Sequence, residues 1–226
     1  LKGEFIMSES AEEKAYRAII NMIIFHQCAP GTSVIEKHIA ESIGISRTPV
    51  RNAMRRLVSD GILEYNKNKG CFVPILSRYD LDNLFQFRTL IECSCIREAT
   101  VYRQEEDVKK IHALVQEELS TLDNQKEKIY IVNEKIHLAI AAASKNNYYE
   151  KPVRQSIWRT QLYLFFFDSF YMGGGIKNAN IPIGSFKSCE EHQMLLYAIE
   201  HKDVSLAETT MRQHIMATYK LLVQTY

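Results

Sequence analysis

After Pro74 the chain holds one kind of segment only: apolar residues recurring at the 3.6-residue period of a helix, with no run that reads as a strand. The spacing predicts helices at about Asp80–Tyr102, Glu105–Leu122, Lys126–Ser144, Glu150–Phe170, Ser185–His201 and Val204–Val223. Successive helices with one apolar face bury those faces against one another, so an all-α antiparallel bundle is expected. The stretch "GGGIKNANIPIGS", Gly173 to Ser185, reads as a loop, and no G-K-[ST] follows its glycines to make a phosphate cradle.

Before Pro74 the pattern differs. Ala15, Ala18, Ile19, Met22 and Ile23 place a helix over Ala11 to Phe25, closed by "APG". A second helix fits Ile35 to Ile43, ending at Gly44, and a third runs from Arg47 to about Asp60. "ILEY" and "CFVP" flank the polar turn "NKNKG", Asn66 to Gly70, as a small β-hairpin. Three helices and a hairpin describe a winged helix-turn-helix. The expected fold is therefore mostly α, with a winged helix-turn-helix domain over residues 11–76 and a helical domain over 77–226.

Within the third helix, "SRTPVR", Ser46 to Arg51, sets a proline in the first turn, where its missing N–H has no intrahelical role, with Ser46 as the expected N-cap. Arg47 and Arg51 add cations to a helix end that already carries partial positive charge, so something anionic is expected in front of it. The net charge of the whole chain is only +1. Between Ile43 and Val73, however, Arg47, Arg51, Arg55, Arg56, Lys67 and Lys69 face only Asp60 and Glu64, so the positive field is local.

Hydrophobic residues make up 46% and charged residues 24% of the 226, which suits globular domains rather than a disordered chain. The 5 cysteines are odd in number and include no C-x-x-C pair, pointing to a reducing compartment. No apolar run reaches the roughly 18 residues of a membrane span. "LYLFFFDSF", Leu162 to Phe170, is too short and is broken by Asp168. A cytoplasmic protein is expected, and no membrane partner. The residues before Met7 carry no fold argument.

The segment "PGTSVIEKHIAESIGISRTPVRNAMRRLVSDGILEYNKNKGCFV" resembles the DNA-binding domain of the GntR family of bacterial transcription regulators. The bundle resembles the FadR-like ligand-binding domain known as FCD, through "FRTLIE", "NEKIHLAIAAASKN" and "EHQMLLYAIEHKDVSLAETTMRQH". The resemblance implies a homodimer on a pseudo-palindromic, double-stranded operator, the third helix entering the major groove N-terminus first. It implies Arg47 and Arg51 as base readers, and Ser46, Thr48 and helix amides as phosphate contacts. Lys37, Arg55 and Lys67 are further phosphate candidates, and Lys69 with Gly70 would let the wing approach the minor groove.

In the bundle, His137 lies on the stripe Ile129, Val132, Asn133, Ile136, Ile140; His192 shares a face with Cys189, Leu195, Leu196 and Ile199; His214 shares one with Ala207, Met211, Ile215 and Thr218. Three inward histidines from separate helices need partners: a divalent metal serves all of them, and a hydrogen-bonded polar pocket is the alternative. The resemblance implies a metal held by an Asp and these three His, the Asp position being Asn133 here, and zinc or nickel suits imidazole best. Neutral Asn133 brings no charge, so an organic acid is expected to help hold the metal.

Arg88 falls on the stripe Leu81, Leu84, Phe85, Ile91, Cys95, where a guanidinium needs a partner. Either Glu92, one turn on, neutralises it, or a ligand carboxylate does; the resemblance implies a small organic acid effector. A metal-only sensor and a metal-dependent enzyme are the rival readings, but nothing in the sequence marks a general base, and the expectation is a regulator rather than an enzyme.

Overall fold

The structure, a computed structural model, describes residues 9–25, 27–121, 126–170 and 186–223. The chain divides into two compact units, Leu1–Ile75 and Leu76–Tyr226. The loop expected at Gly173–Ser185 lies outside the described residues.

In the first unit, α1 (Ala11–Ile24), α2 (Glu36–Ile43) and α3 (Arg47–Ser59) precede a hairpin of β1 (Glu64–Asn66) and β2 (Gly70–Phe72). Ser10 caps α1 by accepting from the Glu13 amide. Ile19, Ile23, Val50, Ala53, Leu57, Ile62 and Leu63 form a dry centre in which the apolar stripes of α1 and α3 meet. Arg56 ties these helices on the outside, 2.7 Å from Glu13 and 4.0 Å above the Tyr16 ring, which turns it into a structural cation. α2 stops at Gly44, whose φ of 68° is the left-handed conformation that side chains disfavour. The hairpin pairs Glu64 with Phe72 and Asn66 with Gly70, and its turn is held by the Asn66 side chain accepting from the Asn68 amide. Gly70, with φ 74°, lets the strand resume from that turn.

The second unit is all-α among the described residues: α4 (Arg78–Tyr102), α5 (Glu105–Thr121), α6 (Lys126–Ala143), α7 (Glu150–Phe170), α8 (Phe186–Glu200) and α9 (Val204–Val223). The long α4 packs on α6, α7, α8 and α9 and so acts as the central rod. Its start is fixed twice, by Ser77 capping the Asp80 amide and by the Tyr163 hydroxyl, which accepts from the Ser77 amide and lies 2.7 Å from Asp80. Trp158, Leu162, Tyr163, Phe165 and Phe166 are buried, so this aromatic run of α7 is core.

Gly44→Ala meets no steric obstacle but must adopt the strained φ. It is expected to destabilise the α2–α3 turn by about 1 kcal/mol, read as faster amide exchange in α2 and α3 than in wild type.

Candidate functional site

Two sets of side chains stand out, one in each unit. In the first, α3 presents Arg47 and Arg51 one turn apart, and both meet Glu36 at the start of α2. Arg51 Nε and Nη2 donate to the two Glu36 oxygens at 2.9 and 3.0 Å, and Arg47 Nη2 lies 3.6 Å from the same carboxylate. Lys37, Ser46, Thr48, Arg55, Lys67 and Lys69 are all exposed, with Gly70 half-buried beside them at the wing. One expectation needs correcting. Ser46 occupies the N-cap position with extended backbone, but its side chain makes no capping hydrogen bond. The reason is Pro49: it sits at the third helical position, where a serine N-cap would ordinarily find an amide, and proline has none. Ser46 itself is exposed.

In the second unit the three histidines come together. One ring nitrogen of each of His137, His192 and His214 lies within 4.8 Å of the other two. All three side chains are buried, and their ring centroids are 4.7 to 5.5 Å apart. The helical period had placed them inward; the packing of α6, α8 and α9 on the central α4 brings them to one point. Each ring also meets a carboxylate. His192 Nδ1 is 2.7 Å from Glu118 of α5, and His214 Nδ1 is 2.9 Å from Glu191 of α8. His137 Nδ1 is 2.5 Å from Glu92 of α4, an ion-pair contact that is not aligned as a hydrogen bond. With a carboxylate at Nδ1, that nitrogen carries the proton of the neutral ring and Nε2 keeps its lone pair. Nε2 of His137 and of His192 is buried without a hydrogen-bond partner. Asn133 is half-buried one turn before His137 on α6.

Glu92 is shared. Its other oxygen accepts from Arg88 Nε at 2.7 Å, and Arg88 Nη1 donates to the Thr160 hydroxyl at 3.1 Å. Of the two partners open to Arg88 in the sequence, Glu92 is the one it meets in the structure. Burial pushes the Glu92 carboxyl up, but Arg88 and His137 outweigh burial and hold it down at about 2. Burial pushes His137 down, with Glu92 opposing. Burial and the two neighbouring imidazoles push His214 down to about 4. Glu118, despite its burial, is held below the ordinary carboxylate range by His192. Burial therefore favours the neutral, ligating form of His137 and His214. Deeper on α7, Trp158 Nε1 and Gln161 Oε1 are also buried and unpartnered. Gln161 Nε2 donates to the Tyr130 carbonyl, so turning the amide over would only oppose two acceptors.

The model of the bacterial regulatory proteins of the gntR family matches residues 11–73, and that of the FCD domain matches residues 83–217. The chain belongs to the GntR family of bacterial regulatory proteins and carries an FCD domain. It is 25% identical over 201 residues to the HTH-type transcriptional regulator McbR of Escherichia coli, 87% of this chain and 86% of that one. It is 26% identical to the Nta operon transcriptional regulator of Aminobacter aminovorans, over 59% of this chain and 63% of that protein's length, so it spans less than two thirds of that relative. The solved structure of E. coli McbR/YncC superposes with a TM-score of 0.73 at 22% identity, covering 96% of this chain and 99% of that one. A putative GntR regulator from Rhodococcus sp. RHA1 gives 0.67 at 17% identity, over 96% and 100%. These two likenesses show the fold. The relatives are named as transcriptional regulators, not enzymes. Among the described residues, no helix of this GntR-family chain is long and apolar enough to cross a membrane.

The electrostatics give a pH dependence in chelator-treated protein. His214 is folded with a pKa of about 4 against 6.5 for a free side chain, so the unfolded chain takes its proton first as pH falls. Stability is present above pH 6.5 and is lost as pH drops towards 4. Glu92 extends the loss from 4.5 towards 2. Denaturant midpoints read by the fluorescence of Trp158, the chain's one tryptophan, are expected to fall steadily below pH 6.5. A flat profile between 6.5 and 4 contradicts buried neutral imidazoles.

Proposed function

We propose that this chain is a bacterial transcription regulator that binds operator DNA in the cytoplasm as a homodimer. Its helical unit is proposed to hold a divalent cation, zinc or nickel, and to sense a small organic acid at the same place. The observation that carries the sensing half is the convergence of three buried imidazoles, each oriented by a glutamate. The donor set fits the cation: neutral imidazole nitrogens suit zinc and nickel, and a carboxylate on the far ring nitrogen raises each ligand's basicity. His137, His192 and His214 would hold it, with the Asn133 carbonyl as a further oxygen donor. Bound there, the cation supplies a Lewis-acid site that attracts an effector carboxylate.

The glutamates change the charge argument made from Asn133. Three carboxylates and one guanidinium, Glu92, Glu118, Glu191 and Arg88, surround the imidazoles, so the protein itself offsets a dication. Metal uptake is therefore expected without any organic acid. An effector carboxylate would take Arg88 from Glu92, and Glu92 also touches His137, so acid and metal sites share one side chain.

A second reading, a regulator that senses metal alone, is favoured by Arg88 already having Glu92 and Thr160 as partners. Duplex binding by metal-stripped protein, zinc-loaded protein, and zinc-loaded protein with a panel of small organic acids separates the two. A change on adding an acid supports effector sensing; a change with zinc and none with any acid supports the second.

Calorimetric titration of stripped protein with zinc, free of organic acids, is expected to show saturable uptake, and Glu118→Gln to weaken it about 10- to 100-fold. No uptake by wild type would remove the metal from the account. On DNA, Arg47→Ala is expected to cost about 1 to 3 kcal/mol of specific binding and to relax one position per half-site. An unchanged affinity and preference would displace α3 as the reading helix.

A further inference from the structure

We infer that Glu36 is a positioning residue for sequence reading: it holds Arg51 and Arg47 in the orientation that reads bases and withholds them from indiscriminate phosphate contact. The inference rests on the DNA-binding reading above and goes beyond it, because Glu36 is an acid where a DNA surface would ordinarily carry none.

The geometry carries it. Glu36 stands at the first position of α2, and the two arginines stand one turn apart on α3. Arg51 uses Nε and one Nη2 hydrogen against the two carboxylate oxygens, at 2.9 and 3.0 Å. That is the side edge of the guanidinium. The end edge, formed by Nη1 and the second Nη2 hydrogen, stays available, and it matches the O6 and N7 acceptors of guanine. The bond to Glu36 is therefore compatible with a base contact. Arg47 shares the same carboxylate more loosely, at 3.6 Å. The hydrogen bond from Arg51 holds Glu36 below the ordinary carboxylate range, so it stays ionised at neutral pH.

Two consequences follow. A side chain fixed before binding loses less rotamer freedom on binding, which favours the one geometry that a base edge accepts. A carboxylate facing the duplex also cancels part of the local cationic charge, and phosphate attraction falls with it. Together these raise discrimination while lowering general affinity.

The test uses the full chain as wild type, Glu36→Ala and Glu36→Gln, each selecting from a duplex pool with a randomised central segment. Affinities are then measured for the wild-type consensus and for a scrambled duplex at several salt concentrations. Wild type is expected to enrich a two-fold symmetric consensus. Glu36→Ala is expected to bind scrambled duplex more tightly, with a salt slope steeper by about one per recognition helix. Its consensus-to-scrambled ratio should drop about tenfold, concentrated at the positions read by Arg47 and Arg51. Glu36→Gln, which keeps an acceptor oxygen and loses the charge, should fall between. An unchanged ratio in both variants overturns the inference, as does a rise in both affinities together, which would make Glu36 a mere competitor of DNA. Parallel loss of both affinities in the two variants, the result of fold damage alone, also overturns it. If wild type enriches no consensus, the DNA-binding reading itself fails.

Discussion

The second unit is organised around a buried carboxylate, Glu92, set between a guanidinium and an imidazole. Taking such groups out of water is costly, and the cost is met only when each charge has a close counter-charge and its hydrogen bonds. Arg88 at 2.7 Å supplies the counter-charge and a hydrogen bond, and the His137 ring lies 2.5 Å from the other oxygen. Removing Arg88 would leave a buried carboxylate against a neutral ring. Acid–imidazole contacts recur at Glu118 with His192 and at Glu191 with His214, so three separate helix contacts carry such a pair in place of apolar packing.

That choice ties the bundle together at one point. Glu92 comes from α4, Glu118 from α5, His137 from α6, Glu191 and His192 from α8, and His214 from α9. Five helices contribute polar groups where a structure built for stability alone would place leucines. A group of this kind can respond to a charged ligand, because any new anion or cation there changes the balance among groups already held close. α4 carries both Arg88 and Glu92 and begins at Arg78, directly after the division between the two units.

Much of this was legible in the sequence, for local reasons. Helix periodicity depends on residues three and four apart, and the helix ends agree with it to within a few residues, as at α7 (Glu150–Phe170) and α9 (Val204–Val223). The inward direction of His137, His192 and His214 came from the same period. What the sequence withheld is pairing across helices. Glu118 holds His192 from 74 positions away, and no local pattern states that distance. A hint existed, since Glu118 falls on the buried stripe of Ile111 and Val115. Glu36 was missed because it lies upstream of the basic segment; only the turn at Gly44 brings it under Arg51. Ser46 shows the reverse case, a residue type well suited to capping whose amide partner is removed by Pro49.

X-ray absorption at the zinc edge of the zinc-loaded protein tests the central claim most directly, because it reads the atoms around the metal. The account expects a shell of nitrogen and oxygen scatterers at about 2.0 to 2.1 Å, with the multiple-scattering pattern of three imidazoles, which falls to two in His192→Ala. A sulfur shell at about 2.3 Å, or a wild-type spectrum without imidazole scattering, would contradict it.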